Sequence, residues 1–138
     1  MAVHMGIDYG QKRIGVAISD SAGNIASPLT VLPATGRMAD DAASVVALAD
    51  EHEVERFVVG LPINMDGTEG PQAKLTRAFA GELEKLSARP VDLHDERLSS
   101  WAADRAFDEA QLTRKQRNAR RDAVAAQIIL QGYLDAMA

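Results

Sequence analysis

The segment VHMGIDYGQKRIGVAIS, residues 3–19, decides the fold. Two apolar runs, at residues 3–8 and 13–19, flank a polar turn that contains Gly10, and this pattern is typical of a β-hairpin. A third strand is expected at residues 25–32. Because Pro28 has no N–H and proline is tolerated mainly in outer strands, this third strand is expected at a sheet edge.

The remainder of the chain alternates between helical and extended patterns. Periodicity and punctuation predict helices at residues 40–53 and 71–87, strands at 56–61 and 91–95, a helix capped by Ser99 or Ser100, and a last helix at 121–137. The second helix is expected to bury Leu75, Ala78, Phe79, Leu83 and Leu86. The order βββαβαβαα implies an α/β fold, a mixed five-stranded sheet flanked by helices, with the apolar run at Phe57 in a central strand.

Composition limits the classes of function. The chain has 138 residues, of which 46% are hydrophobic, with a net charge of −5 and no cysteine. We expect residues 1–138 to form a single domain. The lack of cysteine excludes thiolate catalysis and cysteine-ligated metals, and it suits a cytoplasmic location. The apolar stretches are too short to span a bilayer, so no membrane partner is expected.

Acidic side chains stand at the ends of two expected strands. Asp8 ends the first strand, and Asp95 and Glu96 end the fifth. In open α/β sheets, ligands bind outside the carboxyl ends of the strands. Side chains alternate along a strand, so only one of Asp95 and Glu96 faces the same way as Asp8, and Glu96 is favoured. Taken singly, Asp8 is also explained as a cap of the turn before Gly10, and Asp95 and Glu96 as a solvated acidic turn paired with Arg97.

A further acid, Asp122, lies one turn N-terminal to the apolar stripe of the last helix and on the same side of that helix, and it therefore points toward the sheet. The alternative is an acid that the helix dipole favours near the N-terminus. That alternative does not explain Arg120 and Arg121 at the same helix end, where cations need a nearby anion.

Convergence of Asp8, Glu96 and Asp122 would be costly unless hard cations bind there. Carboxylates alone indicate Mg²⁺ or Mn²⁺, and two such ions support phosphodiester cleavage. Histidines have no spacing typical of a metal motif, and His4 and His52 are expected at the surface.

Basic and polar residues near these acids are candidates for nucleic-acid binding. The expected contacts are Lys12, Arg13 and Arg97, the loop side chains Asn64 and Thr68, and a basic segment made of Arg114, Lys115, Arg117, Arg120 and Arg121. The basic segment is expected to be a loop before the last helix. A structural turn at residues 64–69 and a solvated basic loop remain as alternatives.

Four motifs occur in one order, GIDYG at residues 6–10, KRIGVA at 12–17, GLPINMDGTE at 60–69 and DERLSS at 95–100. Together with Asp122 and the helix after it, they closely resemble the YqgF family, also called RuvX, of Holliday-junction-resolvase-like nucleases. The resemblance covers nearly the whole chain. It implies an RNase H-like fold with a central first strand, and a cytoplasmic hydrolase that processes the 5′ end of precursor 16S rRNA in ribosome biogenesis.

The resemblance also implies roles for individual residues. Asp8, Glu96 and Asp122 would be the catalytic, metal-binding carboxylates, with Asp95 as a neighbouring ligand and Mg²⁺ or Mn²⁺ as the cofactor. Resolvases have a further acid on the last helix, and the residue three positions after Asp122 is Ala125. This departure weakens the branched-DNA resolvase alternative.

Two other classes of function stay open from the sequence. One is an RNA-binding ribosome-assembly factor without turnover. The other is an actin-like ATP binder, because the hairpin around Asp8 and Lys12 is similar to the phosphate-binding hairpin of those proteins. Such proteins place nucleotide between two domains, so this alternative requires a homodimer, whereas a nuclease is expected as a monomer or a homodimer.

Overall fold

The computed structural model describes residues 2–97 and 114–137, and within the last helix it describes side chains from residue 121 onward. Its strands are β1 (His4–Tyr9), β2 (Arg13–Ser19), β3 (Ala26–Pro33), β4 (Arg56–Leu61) and β5 (Val91–Asp95). Its helices are α1 (Met38–Glu51), α2 (Pro71–Ser87) and α3 (Arg114–Met137). The helix expected after Ser99 or Ser100 lies outside the described residues.

The strands form one mixed sheet in the order β3-β2-β1-β4-β5. β2 is antiparallel to β1 and β3, whereas β4 is parallel to both β1 and β5. Pro28 lies in the outermost strand opposite Ala17, where the ladder shifts register. The expected α/β fold, the central first strand and the edge position of β3 are therefore confirmed.

Helices cover both faces of this sheet. On one face, α1 and α2 bury Val45, Phe79 and Leu83 against Met5 and Phe57. The burial of α2 differs from expectation, because Leu75 and Leu86 are 42% and 48% exposed and Ala78 is also exposed, while Thr76 is buried. Thr76 can be buried because its hydroxyl donates to the carbonyl of Gln72 at 2.8 Å, which satisfies that donor away from water.

On the other face, α3 packs directly on glycines of the sheet. A Cβ at Gly6 of β1 would lie 2.7 Å from the Cβ of Leu130, and one at Gly15 of β2 would lie 2.0 Å from the carbonyl oxygen of Asp122. Distances this short exclude any side chain at either position. The missing side chains therefore allow α3 to approach the strands and fix the height of Asp122 above them.

The far end of α3 is tied to β5 by polar side chains. The Tyr133 hydroxyl donates to Asp92, which also pairs with Arg56 Nη1 at 2.7 Å. His4, expected at the surface, is instead buried on this face near the Tyr133 ring. Its backbone N–H donates to Ser19 Oγ at 2.8 Å, which satisfies that buried donor.

The last helix begins at Arg114, so the basic loop expected at residues 114–120 is helical. Arginine, lysine, glutamine and alanine are good helix formers, and nothing in this segment interrupts a helix. Asp122 thus lies well inside α3 rather than near its N-terminus. Since the helix dipole acts only over the first turn, it does not account for Asp122.

None of the helices in the described part of the chain is long and apolar enough to cross a membrane.

We predict that Gly15→Ala destabilises the protein strongly, because the new Cβ would meet the backbone of α3. Overpacking of this kind costs about 1–3 kcal/mol, which urea denaturation would measure. Gly81→Ala is the matched control, since nothing lies within 4 Å of its Cβ position on α2. That control should gain about 1 kcal/mol of helix stability. Equal effects in the two variants would contradict the close packing of α3.

Candidate active site

The carboxyl ends of the three parallel strands β1, β4 and β5 lie at one edge of the sheet. Asp8 stands near the end of β1, opposite Gly15 in the ladder. Glu96 follows β5, and its N–H donates to the Leu61 carbonyl of β4 at 3.3 Å. The Glu96 side chain lies over Gly60, because its Oε2 is 2.5 Å from where a Cβ on that glycine would be. Glu96 therefore occupies the face that α3 covers.

Asp122 reaches the same edge from α3. Its Oδ2 accepts a hydrogen bond from Arg13 Nε at 2.5 Å, and the two residues are 109 positions apart in the chain. The glycine contact at Gly15 holds the backbone of Asp122 against β2, beside the position of Asp8. The three acids expected to form the site are thus neighbours on one face of the sheet.

Electrostatic interactions link these three acids. Burial, followed by the charge of Asp122, raises the pKa of Asp8 to about 6, although Arg121 acts in the opposite direction. Burial, followed by the charges of Asp8 and Asp95, raises the pKa of Glu96 to about 7. Raised carboxyl pKa values in a cluster mean that negative charge there lacks sufficient compensation, which is typical of functional sites.

The donor set fits a hard divalent cation, because carboxylate oxygens are the ligands that Mg²⁺ and Mn²⁺ prefer. Among the described side chains, those of residues 2–97 and 121–137, however, no three His, Cys, Asp or Glu groups converge closely enough to hold a metal ion. Asp122 Oδ2 is instead paired with Arg13. Closing this site on a cation would therefore require a side chain to move.

Asp95 and Glu96 have different surroundings. Asp95 accepts hydrogen bonds from the Arg97 backbone N–H at 3.0 Å and from Arg97 Nε at 2.8 Å. The hydrogen bonds from Arg97 lower the pKa of Asp95. Asp95 and Arg97 thus neutralise each other at the surface, while Glu96 turns inward toward Asp8. This geometry favours Glu96 over Asp95 as a ligand.

The loop after β4 is organised by its own side chains. Asn64 Nδ2 donates to Thr68 Oγ1 at 3.0 Å, and Thr68 Oγ1 donates to Asp66 Oδ1 at 2.6 Å. Gly67 completes the turn with a φ of +87°, a conformation that glycine adopts without strain. These hydrogen bonds within the loop agree with the alternative in which Asn64 and Thr68 stabilise a turn.

Basic side chains surround the acids at several points. Lys12 and Arg13 line a cavity of about 340 Å³ together with Gly10, Gln11 and Asp122. Arg121 is exposed and close enough to Asp8 to act on its pKa. The backbone places Arg114, Lys115, Arg117 and Arg120 along the first part of α3, and their side chains lie outside the described part of the structure.

Sequence reasoning missed two features of this site. The first is the set of glycines at positions 6, 15 and 60, on which α3 and Glu96 lie. Glycine inside a strand marks close approach of other groups, so a signal was available. The second is the ion pair of Arg13 with Asp122, for which no local pattern gives a signal.

Comparison with known proteins agrees with this arrangement. Residues 2–136 match the family model RuvX, described as Holliday junction resolvase. A protein of Rhodobacter capsulatus is 50% identical over 96% of this chain and 83% of its own length, and one of Myxococcus xanthus is 50% identical over 96% and 87%. Both carry the name "Putative pre-16S rRNA nuclease". The chain belongs to the RuvX family.

Solved structures similar to this RuvX-family chain include RuvC of Thermus thermophilus. RuvC in complex with Holliday junction substrate has a TM-score of 0.63 at 17% identity, covering 99% of this chain and 96% of RuvC. A second structure of RuvC has a TM-score of 0.58 at 14% identity. The RNase H-like fold implied by the sequence motifs is thereby confirmed.

For this RuvX-family protein, we predict that Asp8→Asn becomes increasingly more stable than the parent as the pH rises from about 4 to 7 in EDTA. The unfolded carboxyl loses its proton near its usual pKa of 3.8, whereas the folded one keeps it to about 6. In that interval the folded parent binds more protons, so its stability falls with pH. Above about pH 7 the difference should be on the order of 3 kcal/mol.

Urea denaturation of the parent and Asp8→Asn at several pH values would measure this difference. Asp40→Asn is the control, because Asp40 is exposed in the first turn of α1 on the opposite face of the sheet. A stability difference for Asp8→Asn that did not change with pH would contradict the raised pKa.

Proposed function

We propose that this protein is a divalent-metal-dependent nuclease that hydrolyses a phosphodiester bond at the 5′ end of precursor 16S rRNA. The observation that carries the proposal is the grouping of Asp8, Glu96 and Asp122 at the carboxyl ends of the parallel strands in a RuvX-family chain. The names of the relatives support the choice of ribosomal RNA as substrate. Residues 1–138 would act as one nuclease domain, in the cytoplasm where ribosomes assemble.

In this proposal, Asp8, Glu96 and Asp122 hold Mg²⁺ or Mn²⁺ through their carboxylate oxygens. When bound, such ions supply charge neutralisation at the phosphate and a lowered pKa for a ligated water. Hydrolysis adds water across one P–O bond and leaves a phosphate end and a hydroxyl end. Metal binding requires ionised ligands, so it would release the protons that Asp8 and Glu96 hold at mildly acidic pH.

The chain's basic residues would position the nucleic acid. Lys12 is exposed and lines the same cavity as Asp122, where it would bind a backbone phosphate. Arg121 and the basic residues at the start of α3 extend positive charge away from the acids. With few aromatic side chains in the sequence, recognition would depend on RNA shape and backbone rather than on base stacking.

A branched-DNA resolvase is the second candidate, because the family model is described as a Holliday junction resolvase. Ala125, where resolvases carry a further acid, favours the RNA nuclease. A ribosome-assembly factor without turnover and an ATP binder are the remaining alternatives, and both are outcomes of the experiment below.

We predict that the protein cleaves end-labelled precursor 16S rRNA in Mn²⁺ or Mg²⁺ but not in EDTA. Cleavage activity should fall by at least about a hundredfold in each of the variants Asp8→Asn, Glu96→Gln and Asp122→Asn. Asp95→Asn should lose less, since Asp95 pairs with Arg97. Asp40→Asn serves as the control on the opposite face of the sheet. A four-way DNA junction assayed in parallel distinguishes RNA processing from junction resolution.

Three results would contradict this assignment. Activity that persists in all three variants would place the cleavage elsewhere. RNA binding without cleavage in any metal would favour the assembly factor. ATP binding by calorimetry, together with no nucleic-acid binding, would favour the ATP binder.

We further predict that the double variant Lys115→Gln/Arg117→Gln binds RNA more weakly than the parent. The slope of log K against the logarithm of the salt concentration should become less steep by about one for each phosphate that the variant no longer binds. Asn64→Ala should have a smaller effect, because its amide is bonded within the loop. Lys85→Gln is the control, since Lys85 lies in the last turn of α2. Filter binding at several salt concentrations measures all three, and equal slopes throughout would exclude the start of α3 from the interface.

A further inference from the structure

The ion pair between Arg13 and Asp122 joins two residues that the proposed nuclease would need for different ligands, a phosphate and a metal ion. Arg13 Nε lies 2.5 Å from Asp122 Oδ2. The first residue is a candidate phosphate contact and the second is a candidate metal ligand. While they are paired, the carboxylate faces a guanidinium, and the described acids do not converge as a metal site.

The two side chains can separate without disturbing the fold. Their exposed fractions are 41% for Arg13 and 22% for Asp122, so water reaches both partners of the ion pair. The backbone of Arg13 is held independently, because it pairs with Pro33 of β3 and its carbonyl accepts the Gly10 N–H at 2.9 Å. Only the side chain of Arg13 would therefore move.

Space for that movement lies beside the pair. The cavity of about 340 Å³ is lined by Gly10, Gln11, Lys12, Arg13 and Asp122. A guanidinium that turned from Asp122 into this cavity would stand next to Lys12. Guanidinium groups bind phosphate oxygens in a planar, directional geometry, so an RNA phosphate in the cavity would be a suitable new partner for Arg13.

Electrostatics favours such an exchange. The carboxyl groups of Asp8, Glu96 and Asp122 lie at this edge of the sheet, and the guanidinium of Arg13 pairs with Asp122 alone among these three acids. A divalent cation would compensate this charge better than one guanidinium. Once the carboxylates bind a cation, Arg13 no longer has the Asp122 carboxylate as its partner. It regains an anionic partner only if a phosphate of the substrate is present.

We propose that Arg13 holds Asp122 in the metal-free protein and exchanges it for a backbone phosphate of the substrate when a divalent cation binds. The inference rests on the proposed function, because it requires the metal site at Asp8, Glu96 and Asp122. It goes beyond that function in coupling metal binding to substrate binding through one side chain. By thermodynamic linkage, this coupling is reciprocal.

The first test is calorimetric titration of the full chain with Mn²⁺ in the absence of RNA. Arg13→Gln should bind Mn²⁺ about fivefold more tightly than the parent, since the cation no longer competes with a partly exposed ion pair. Arg13→Lys, which keeps the charge but removes the Nε hydrogen bond, should give a smaller gain. Arg37→Gln is the matched control, because Arg37 pairs with Asp40 at 3.0 Å beside α1 on the opposite face.

The second test measures binding of precursor 16S rRNA in Ca²⁺, a divalent cation that also takes oxygen ligands, with gel analysis to verify that the RNA stays intact. In Ca²⁺ the slope of log K against the logarithm of the salt concentration should be less steep by about one in Arg13→Gln than in the parent. In EDTA the two slopes should agree, because Arg13 is then bound to Asp122 in the parent. A purely structural ion pair would not produce this dependence on the cation.

The outcomes separate this inference from the proposed function. If Asp8→Asn abolishes Mn²⁺ binding while Arg13→Gln and Arg13→Lys bind it no more tightly than Arg37→Gln, the exchange is overturned and the metal site stands. If the parent does not bind Mn²⁺, or Asp8→Asn binds it equally well, both are overturned. Should Arg13→Gln fail to fold, Arg13→Lys decides the Mn²⁺ comparison alone.

Discussion

The close packing of α3 on the glycines of the sheet is the constraint on which the site depends. At Gly15 the helix backbone lies where a side chain would otherwise stand, and at Gly6 a leucine of α3 does so. Because neither position can accept even a methyl group, the height and rotation of the helix above β1 and β2 are fixed. Asp122 is carried by that helix, so packing determines where its carboxylate meets the sheet.

The same packing creates the electrostatic cost of the site. Glu96 lies over Gly60 and is partly removed from water, and its pKa rises to about 7 mainly because of that burial. The pKa of Asp8, beneath the helix, rises for the same reason to about 6. The fold thus holds two acids under conditions that disfavour their charge. In the proposed function that charge is needed to bind a cation, so stability would be given up at the position where the protein acts, which is common at functional sites.

Features of the sequence that express local physics lead to correct predictions. The missing N–H of Pro28 places β3 at the edge, and the alternation of side chains along a strand places Glu96 rather than Asp95 on the face of Asp8. The helical spacing that points Asp122 toward the sheet is also correct. Each of these depends on backbone geometry over a few residues, which a sequence displays directly.

The incorrect predictions depend on interactions that the sequence does not display. The charge of the basic segment from Arg114 suggests a loop, although its residues favour a helix. The spacing of Leu75 and Leu86 predicts that both are in the core, but the orientation of α2 against α1 and the sheet buries Thr76 instead. The partner of Arg13 lies 109 residues away, and only the tertiary fold brings Asp122 to it.

In the proposed function, binding of a polyanion would depend on the charges at one edge of the sheet. A protein with a net charge of −5 gains little general attraction for RNA. Lys12, Arg13 and Arg121 stand around the acids of that edge. An RNA backbone approaching there meets carboxylates that repel it and arginines that attract it, and the balance depends on whether the carboxylates are compensated. A divalent cation would reverse the sign of that balance at the centre of the site, so the edge would bind a phosphate most strongly when the metal needed for cleavage is already bound.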